Sequence, residues 1–375
     1  MRVLHVIHNF LPCVGGMEAY LYNLCKYSRK SGIECSVVCL NKCPQGTGKL
    51  KAHETIDGIK VERIPYVDLG IYKFAPSVLK KVLNSGADIL HIHGIGFFSD
   101  FLALTKPIHK KPIVLSTHGG IFHTKAHSRL KDFYFSKWEK MIMRNFDVVA
   151  ACSKNDYALF KKISKNIVLI ENGMDYKFFS GAKNKAKPNT FIYVGRISKN
   201  KRVDLLIEAI AIVQHKIPNV KLTIAGEDFE NLLPNLKKMV NEKNLQKNVL
   251  FAVGKFSPEE VRAFYASSEF FVSASQYEGF GISAIEAMAS GCVPILNDID
   301  SFRDFIKRSG AGFIVNFENP EAAAKTILNA TALSKKQKEK LRANGKDFAG
   351  EFDWNEKVKE FGRIYSSVRA FSRAG

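Results

Sequence analysis

Two carboxylates, Glu278 and Glu286, bracket the stretch Glu278-Gly279-Phe280-Gly281-Ile282-Ser283-Ala284-Ile285-Glu286. Gly279 and Gly281 let the main chain come close to a ligand. The free N–H groups of a helix opening after them present partial positive charge suited to phosphate oxygens. One acid precedes the turn and the other lies in the first helical turn. The same spacing also has a structural reading, because Ser283-x-x-Glu286 fits a capping box in which Glu286 satisfies a helix-end N–H.

Such residues need a strand, a loop and a helix to hold them. Phe270-Phe271-Val272-Ser273-Ala274-Ser275 favours a strand and Ala287-Met288-Ala289 favours a helix, so the glycine turn falls at the carboxyl edge of a sheet. Open α/β sheets take their ligands there. Near the start, Arg2 to Phe10 reads as a buried strand and Gly15-Gly16-Met17-Glu18 opens a helix whose Tyr20, Leu21, Leu24 and Tyr27 recur at helical spacing. A glycine pair at that junction leaves a backbone concavity, or a plain tight turn. Ala87 to Gly94 reads as a strand on which His91 and His93 share one face. Two histidines point toward a metal, but no third ligand is visible, and no metal is expected. Lys111 to Gly120 is a further strand running into a glycine turn at His118, Gly119 and Gly120.

The string from Glu278 to Glu286 resembles the E-x7-E signature of the family 4 glycosyltransferases of the GT-B fold, which are retaining enzymes that use nucleotide sugars. The resemblance runs through most of the chain. It implies an α/β architecture of two Rossmann-like domains facing across a cleft, with a C-terminal helix crossing back to the first domain. Thr190 to Lys201 looks like the family's donor element, with Arg202 where glycine is usual; Arg196 and Lys201 would hold the diphosphate from two directions. By the same resemblance Glu278 contacts the hexose, Glu286 holds the ribose, and Gly279, Phe280, Gly281 and Ile282 line the donor. Gly254 ends a strand whose loop frames the base. The Gly15-Gly16 loop lies near acceptor and donor phosphates, His93 ends a strand at the cleft, and His118, beside Gly119, positions the sugar. These roles imply sugar transfer without a metal or any cofactor beyond the nucleotide-sugar substrate.

The segment His118 to Thr124 is similar to bacterial mannosyltransferases that extend polyprenyl-diphosphate-linked oligosaccharides. Mannose from GDP-mannose is therefore the expected donor, and a lipid-linked or other glycan the expected acceptor. The chain departs from the family after Leu296. Where Gly-Gly-x-x-Glu is common it has Asp298-Ile299-Asp300-Ser301-Phe302-Arg303-Asp304, which spells the D-x-D of metal-dependent enzymes while the remaining motifs belong to the metal-independent class.

With 375 residues, 46% of them hydrophobic, the chain can build about two domains. The expected division is 1–180 together with 356–375 for the acceptor, and 181–355 for the nucleotide sugar, with a linker of Lys, Ala and Gly between Ser180 and Asn189. A membrane span needs about 18 or more consecutive apolar residues, and no such run occurs. The seven cysteines are scattered without a CxxC pair, so reduced thiols and a cytoplasmic location are expected.

The net charge of +20 draws anions, whether nucleotides, nucleic acid or an anionic membrane leaflet. Lys125 to Arg144, where Lys and Arg alternate with Phe133, Tyr134, Phe135 and Trp138, suits a helix lying on the inner face of a plasma membrane, or an amphipathic helix whose rings enter the core. Lys73 to Lys81 is a second segment of this kind. Two rival functions stay open. A GT-B epimerase or phosphorylase would use the same cleft, and a basic nucleic-acid binder would use the charge; the first lacks the acid-glycine-acid string and the second leaves the motif series unexplained, so no nucleic-acid partner is expected.

Overall fold

The computed structural model describes the chain apart from Val14, residues 45–47, Ile71, residues 119–133, Asn184 and Gly375, with residues 134–136 and 372–374 described by backbone alone. Two compact units result, Met1–Gly173 with Trp354–Gly375, and Met174–Asp353.

In the first unit, β1 (Arg2–Val6), β2 (Glu34–Leu40), β3 (His53–Ile56), β4 (Ile59–Ile64), β7 (Ile89–His93), β8 (Ile113–Ser116), β9 (Val148–Ala151) and β10 (Ile167–Leu169) form one sheet, in the order β10-β9-β8-β7-β1-β2-β4-β3. Only β3 runs antiparallel to its neighbour. The short hairpin β5 (Val67–Leu69) and β6 (Tyr72–Phe74) stands apart. A parallel sheet is covered on both faces, so its central strands are apolar throughout rather than alternating; β7 and β8 are buried at every residue. The chain winds outward from β1 in one direction through β2 and in the other through β7, so the strand order reverses between β1 and β7.

The second unit repeats the plan with β11 (Thr190–Val194), β12 (Lys221–Gly226), β13 (Val249–Val253), β14 (Phe270–Ser273), β15 (Val293–Asn297) and β16 (Phe313–Val315), in the parallel order β13-β12-β11-β14-β15-β16. Here the order reverses between β11 and β14. The carboxyl-edge loops of those two strands are the ones carrying Arg196 with Lys201, and Glu278 with Gly281.

The units divide at Gly173/Met174 and Asp353/Trp354, ahead of the linker composition between Ser180 and Asn189. The local bonding explains the position. The Met174 N–H donates to the Phe352 carbonyl at 2.7 Å, fixing both to the second unit. Trp354 closes over Gly173, where a Cβ would lie 2.5 Å from the indole. The helix Trp354–Ala374 then packs on the helix Gly16–Lys30 of the first unit through buried Val358, Phe361, Tyr365 and Val368.

One expectation is corrected here. The cysteines are not all free thiols, because Cys13 and Cys43 are joined in a disulfide between the loops that follow β1 and β2. Their spacing in sequence concealed the pairing, since adjacent strands bring those loops together; Cys25, Cys35, Cys39, Cys152 and Cys292 are free and buried. In the proposed membrane segments, much of Lys125 to Arg144, His123 and Thr124 before it, and the site residue Gly119 lie outside the described residues. Of what is described, the Trp138 indole N–H donates to Asp100 Oδ2 at 2.8 Å. Lys73 pairs with Asp68, and Lys81 with Glu62 at 3.2 Å, so those charges are met within the protein.

Trp354 is 2% exposed and makes edge contacts with Tyr20 at 5.0 Å between ring centroids. Trp354→Ala is expected to destabilise the first unit by about 3–5 kcal/mol, read as a drop in its urea midpoint with the second unit's transition unmoved.

Candidate functional site

At the strand-order reversal of the second unit, Lys201 Nζ donates to Glu278 Oε1 at 2.7 Å, with both side chains mostly buried. An ammonium has three N–H donors, so this contact leaves Lys201 able to hold an anion as well. Arg196 is exposed, and its guanidinium lies 5.0 Å from the centre of the Phe229 ring. Its carbonyl accepts the Tyr193 hydroxyl at 2.8 Å. Burial first, and then the charge of Glu278, holds the Tyr193 phenol well above its usual range. Two cations and one carboxylate therefore stand on the loops after β11 and β14.

The backbone between them is specialised. Gly281 caps the helix Ile282–Ala289 with φ at 99°, and a Cβ there would lie 2.9 Å from Phe302. Gly279 is exposed, and a Cβ there would meet nothing within 4 Å. Gly226 lets the turn after β12 press against the Gly195 carbonyl, 1.9 Å from where a Cβ would be. Gly254, at φ 151°, directly follows β13 and donates its N–H to the Gly226 carbonyl at 3.0 Å. Arg202 has φ 47° and ψ 48°, the left-handed region in which glycine is free and other residues lose about 1–2 kcal/mol. Its guanidinium answers with bonds to both oxygens of Asp204 at 2.9–3.1 Å.

Glu286 does not form the capping box that its spacing allows. The helix is capped by Gly281 without a side-chain bond, and Glu286 Oε2 instead accepts the Tyr265 hydroxyl at 3.3 Å. Burial pushes its carboxyl up to about 7, against a partial lowering by that bond. Phe280 is buried against Phe305 and Phe352, and Ile282 is half-buried in the same cluster; both steady the loop from below. The D-x-D acids are engaged as well. Asp298 pairs with Arg303, and Asp300 Oδ1 meets the same guanidinium at 2.6 Å, which makes them an exposed ion-pair cluster.

The first unit gathers imidazoles. His5 of β1 and His91 of β7 are paired in register, and His93 of β7 and His118, just after β8, lie beside them. His93 Nε2 lies 3.0 Å from His5 Nδ1, and His93 Nδ1 lies 3.1 Å from His118 Nε2. His91 bonds Tyr365 Oη at 2.7 Å and Ser116 Oγ at 2.9 Å. The third imidazole that the sequence hid is thus His5, within 4.8 Å of His91 and His93 by their ligand atoms. Yet five of those six ring nitrogens are already hydrogen-bonded, so the group reads as a bonded chain. Burial holds His91 and His93 well below the usual histidine range and brings His118 to about 4; all three are neutral imidazoles at pH 7.

His118 is half-buried, has φ at 49°, and its Nδ1 lies 3.5 Å from Cys152 Sγ. His93, 2% exposed, lies beneath the surface. Gly15 and Gly16 are exposed where the helix Gly16–Lys30 begins, and the Glu18 side chain folds back over Gly15. Burial raises the Glu18 carboxyl. Glu18 and His5 were given no role from the sequence. An acid in the first helical turn after Gly-Gly was the one available signal for Glu18, and a histidine inside an apolar strand the one for His5.

The model of the group 1 glycosyl transferases matches residues 176–348, and that of Glycosyltransferase Family 4 matches residues 14–178. The GDP-mannose:cellobiosyl-diphosphopolyprenol alpha-mannosyltransferase of Xanthomonas oryzae pv. oryzae is 36% identical, over 96% of this chain and 95% of its own. The enzyme of the same description from Komagataeibacter xylinus is 33% identical, over 98% and 93%. In fold, the chain is similar to sucrose-phosphate synthase from Thermosynechococcus elongatus, with a TM-score of 0.76 at 20% identity over 98% of this chain and 99% of the other.

The glycines separate by role. Gly281→Ala is expected to lose more than about 1 kcal/mol in thermal or chemical unfolding, because alanine is strained at that φ. Gly279→Ala should stay within about 0.5 kcal/mol of the parent. Glu286 gives a pH signature. Its carboxyl ionises near 4.5 in the unfolded chain and near 7 in the folded one. The folded state therefore holds the extra proton between those values, and the group's contribution to stability falls as pH rises through them. Glu286→Gln cannot ionise, so its melting temperature relative to the parent should climb from pH 5 to pH 8 and then level; a gap that does not change with pH would contradict the assignment.

Proposed function

The chain belongs to glycosyltransferase family 4, and on that premise we propose that it moves an α-mannosyl group from GDP-mannose to a polyprenyl-diphosphate-linked glycan. The observation that carries this reading is the Lys201–Glu278 pair at the strand-order reversal of the second unit, 2.7 Å apart, with Arg196 in the same segment after β11 as Lys201. The choice of donor and acceptor is supported by the GDP-mannose donor and polyprenol-diphosphate acceptor named for the relatives at 33–36% identity.

The second unit holds the nucleotide sugar. Arg196, Lys201 and the start of the helix after Gly281 take the diphosphate, Glu286 the ribose hydroxyls, and Glu278 the mannose. Gly254 borders the base, and the open Cβ side of Gly279 leaves room for the phosphates. The first unit holds the acceptor about Gly15 and Gly16, and His118 positions the transferred sugar. In the reaction the bond from sugar C1 to the phosphate oxygen breaks and its electron pair leaves with GDP. An acceptor hydroxyl bonds to C1 on the same face, and its proton passes to the departing phosphate, so the anomeric configuration is retained. Lys201 and Arg196 are fixed before the bond breaks, so they meet the growing charge without reorganisation. In this reading they do the work of a divalent metal, and no cofactor is needed.

A polyprenyl acceptor sits in a membrane, and we place the protein peripherally on the inner face of the plasma membrane. The net charge of +20 favours anionic headgroups, and among the described residues no helix is long and apolar enough to cross.

Mannose transfer from labelled GDP-mannose to a polyprenyl-diphosphate glycan tests the assignment. Lys201→Ala and Glu278→Gln should each lower kcat by about 10²–10³, the loss seen when one preorganised group is removed. Either variant working at the parental rate would remove its role. After exhaustive chelation the rate should hold, and a strict need for added Mg²⁺ or Mn²⁺ would overturn the metal-free mechanism.

A further inference from the structure

We infer that His93 is a positioning residue for the transfer: its Nδ1 holds the His118 imidazole, and with it the left-handed turn that ends β8. This rests on the reading of His118 as the residue that positions the sugar.

His93 is 2% exposed and cannot touch a substrate from where it lies. Both of its nitrogens are spent on other imidazoles, Nε2 on His5 at 3.0 Å and Nδ1 on His118 at 3.1 Å. Each nitrogen-to-nitrogen link shares one proton, so the neutral chain is polarised along its length in one of two senses. Either His118 donates to His93 and His93 to His5, or the protons all sit the other way. In both senses the Nε2 of His118 is occupied. Its Nδ1 faces Cys152 Sγ at 3.5 Å, and the edge of Tyr20 closes on the ring at 4.7 Å between centroids.

The ring therefore serves as an anchor. A non-glycine residue at φ 49° persists only where its surroundings over-determine it, and the bond to His93 is the closer of the two polar contacts that reach the His118 ring from the strands on either side, the other being Cys152 Sγ. His5 Nε2 has no hydrogen-bond partner among the described residues, so the chain begins inside the core and ends at the turn. An apolar residue at position 93 would leave a nitrogen of the half-buried His118 and one of the fully buried His5 without this partner.

Two amide substitutions separate this role from packing, because an asparagine amide falls near the place of the imidazole Nδ1 and a glutamine amide near that of Nε2. His93→Asn keeps a partner for His118, while His93→Gln keeps one for His5. His93→Gln should lower kcat by about ten- to a hundredfold, the scale of an ångström of misplacement, with KM for GDP-mannose within about twofold. His93→Asn should retain a kcat at least about ten times that of His93→Gln. In a His118→Ala background His93→Gln should add no further loss, since the two act as one unit.

On the unmutated protein labelled with ¹⁵N-histidine, a scalar coupling should appear between His93 Nδ1 and His118 Nε2. Absence of that coupling, equal losses in the Asn and Gln variants, or full additivity with His118→Ala would each overturn the inference. Full activity of His118→Ala would instead overturn the role given to His118 itself, and would leave the bond visible in the spectrum.

Discussion

A parallel sheet wound outward from its middle has one place where neighbouring strands send their loops to opposite faces, and both units are organised about that constraint. In the second unit it lies between β11 and β14. Lys201 and Glu278 are 77 residues apart in sequence, yet they meet there at 2.7 Å because their strands are neighbours and both loops leave the carboxyl edge. In the first unit the same reversal falls between β1 and β7, which lines up His5 with His91 in register and brings His93 beside them. The rest of each unit serves to cover the two faces of the sheet.

Polar groups set in such a core have to be compensated, and the manner of compensation differs between framework and site. Glu269, at the amino end of β14, is met by Lys338 at 3.1 Å, Arg342 at 3.5 Å and the Asn189 N–H at 3.1 Å. That carboxylate is fully answered within the protein and ties the sheet to the helix Lys335–Gly350. Glu286 meets a neutral phenol and, among the described residues, no cation within ion-pair distance. Its raised carboxyl is the consequence, and a ligand hydroxyl is the kind of partner it lacks. The Lys201–Glu278 pair stands between these cases. A mostly buried ion pair returns little net stability after desolvation, so its value lies in holding two opposite charges ready.

The framework was legible where chemistry is local. Continuous apolar runs marked β1, β7, β8 and β14, because burial in a doubly covered sheet forces that composition, and helical spacing or composition marked the helices that follow β1 and β14. The edge strands β3 and β16 and the hairpin β5–β6 were not marked, since edge strands are half exposed and carry no strong pattern. Arg202 shows a departure whose reason is visible only in three dimensions: the position calls for a left-handed residue, and an ion pair with Asp204 offsets part of what glycine would have saved. The capping-box reading of Ser283 and Glu286 failed because the helix starts at Ile282, a boundary that spacing alone does not set.

The sequence by itself determined the family and the α/β alternation, and it named the acids and cations proposed for the donor site, because strand, glycine turn and helix start are written in consecutive residues. Tertiary structure alone decided which distant groups share a proton or a charge. His5, His93 and His118 become one chain, Cys13 and Cys43 one bridge, and Lys201 and Glu278 one pair only when strand order is known. Strand order is a property of how the sheet closes its faces, and no stretch of residues carries it.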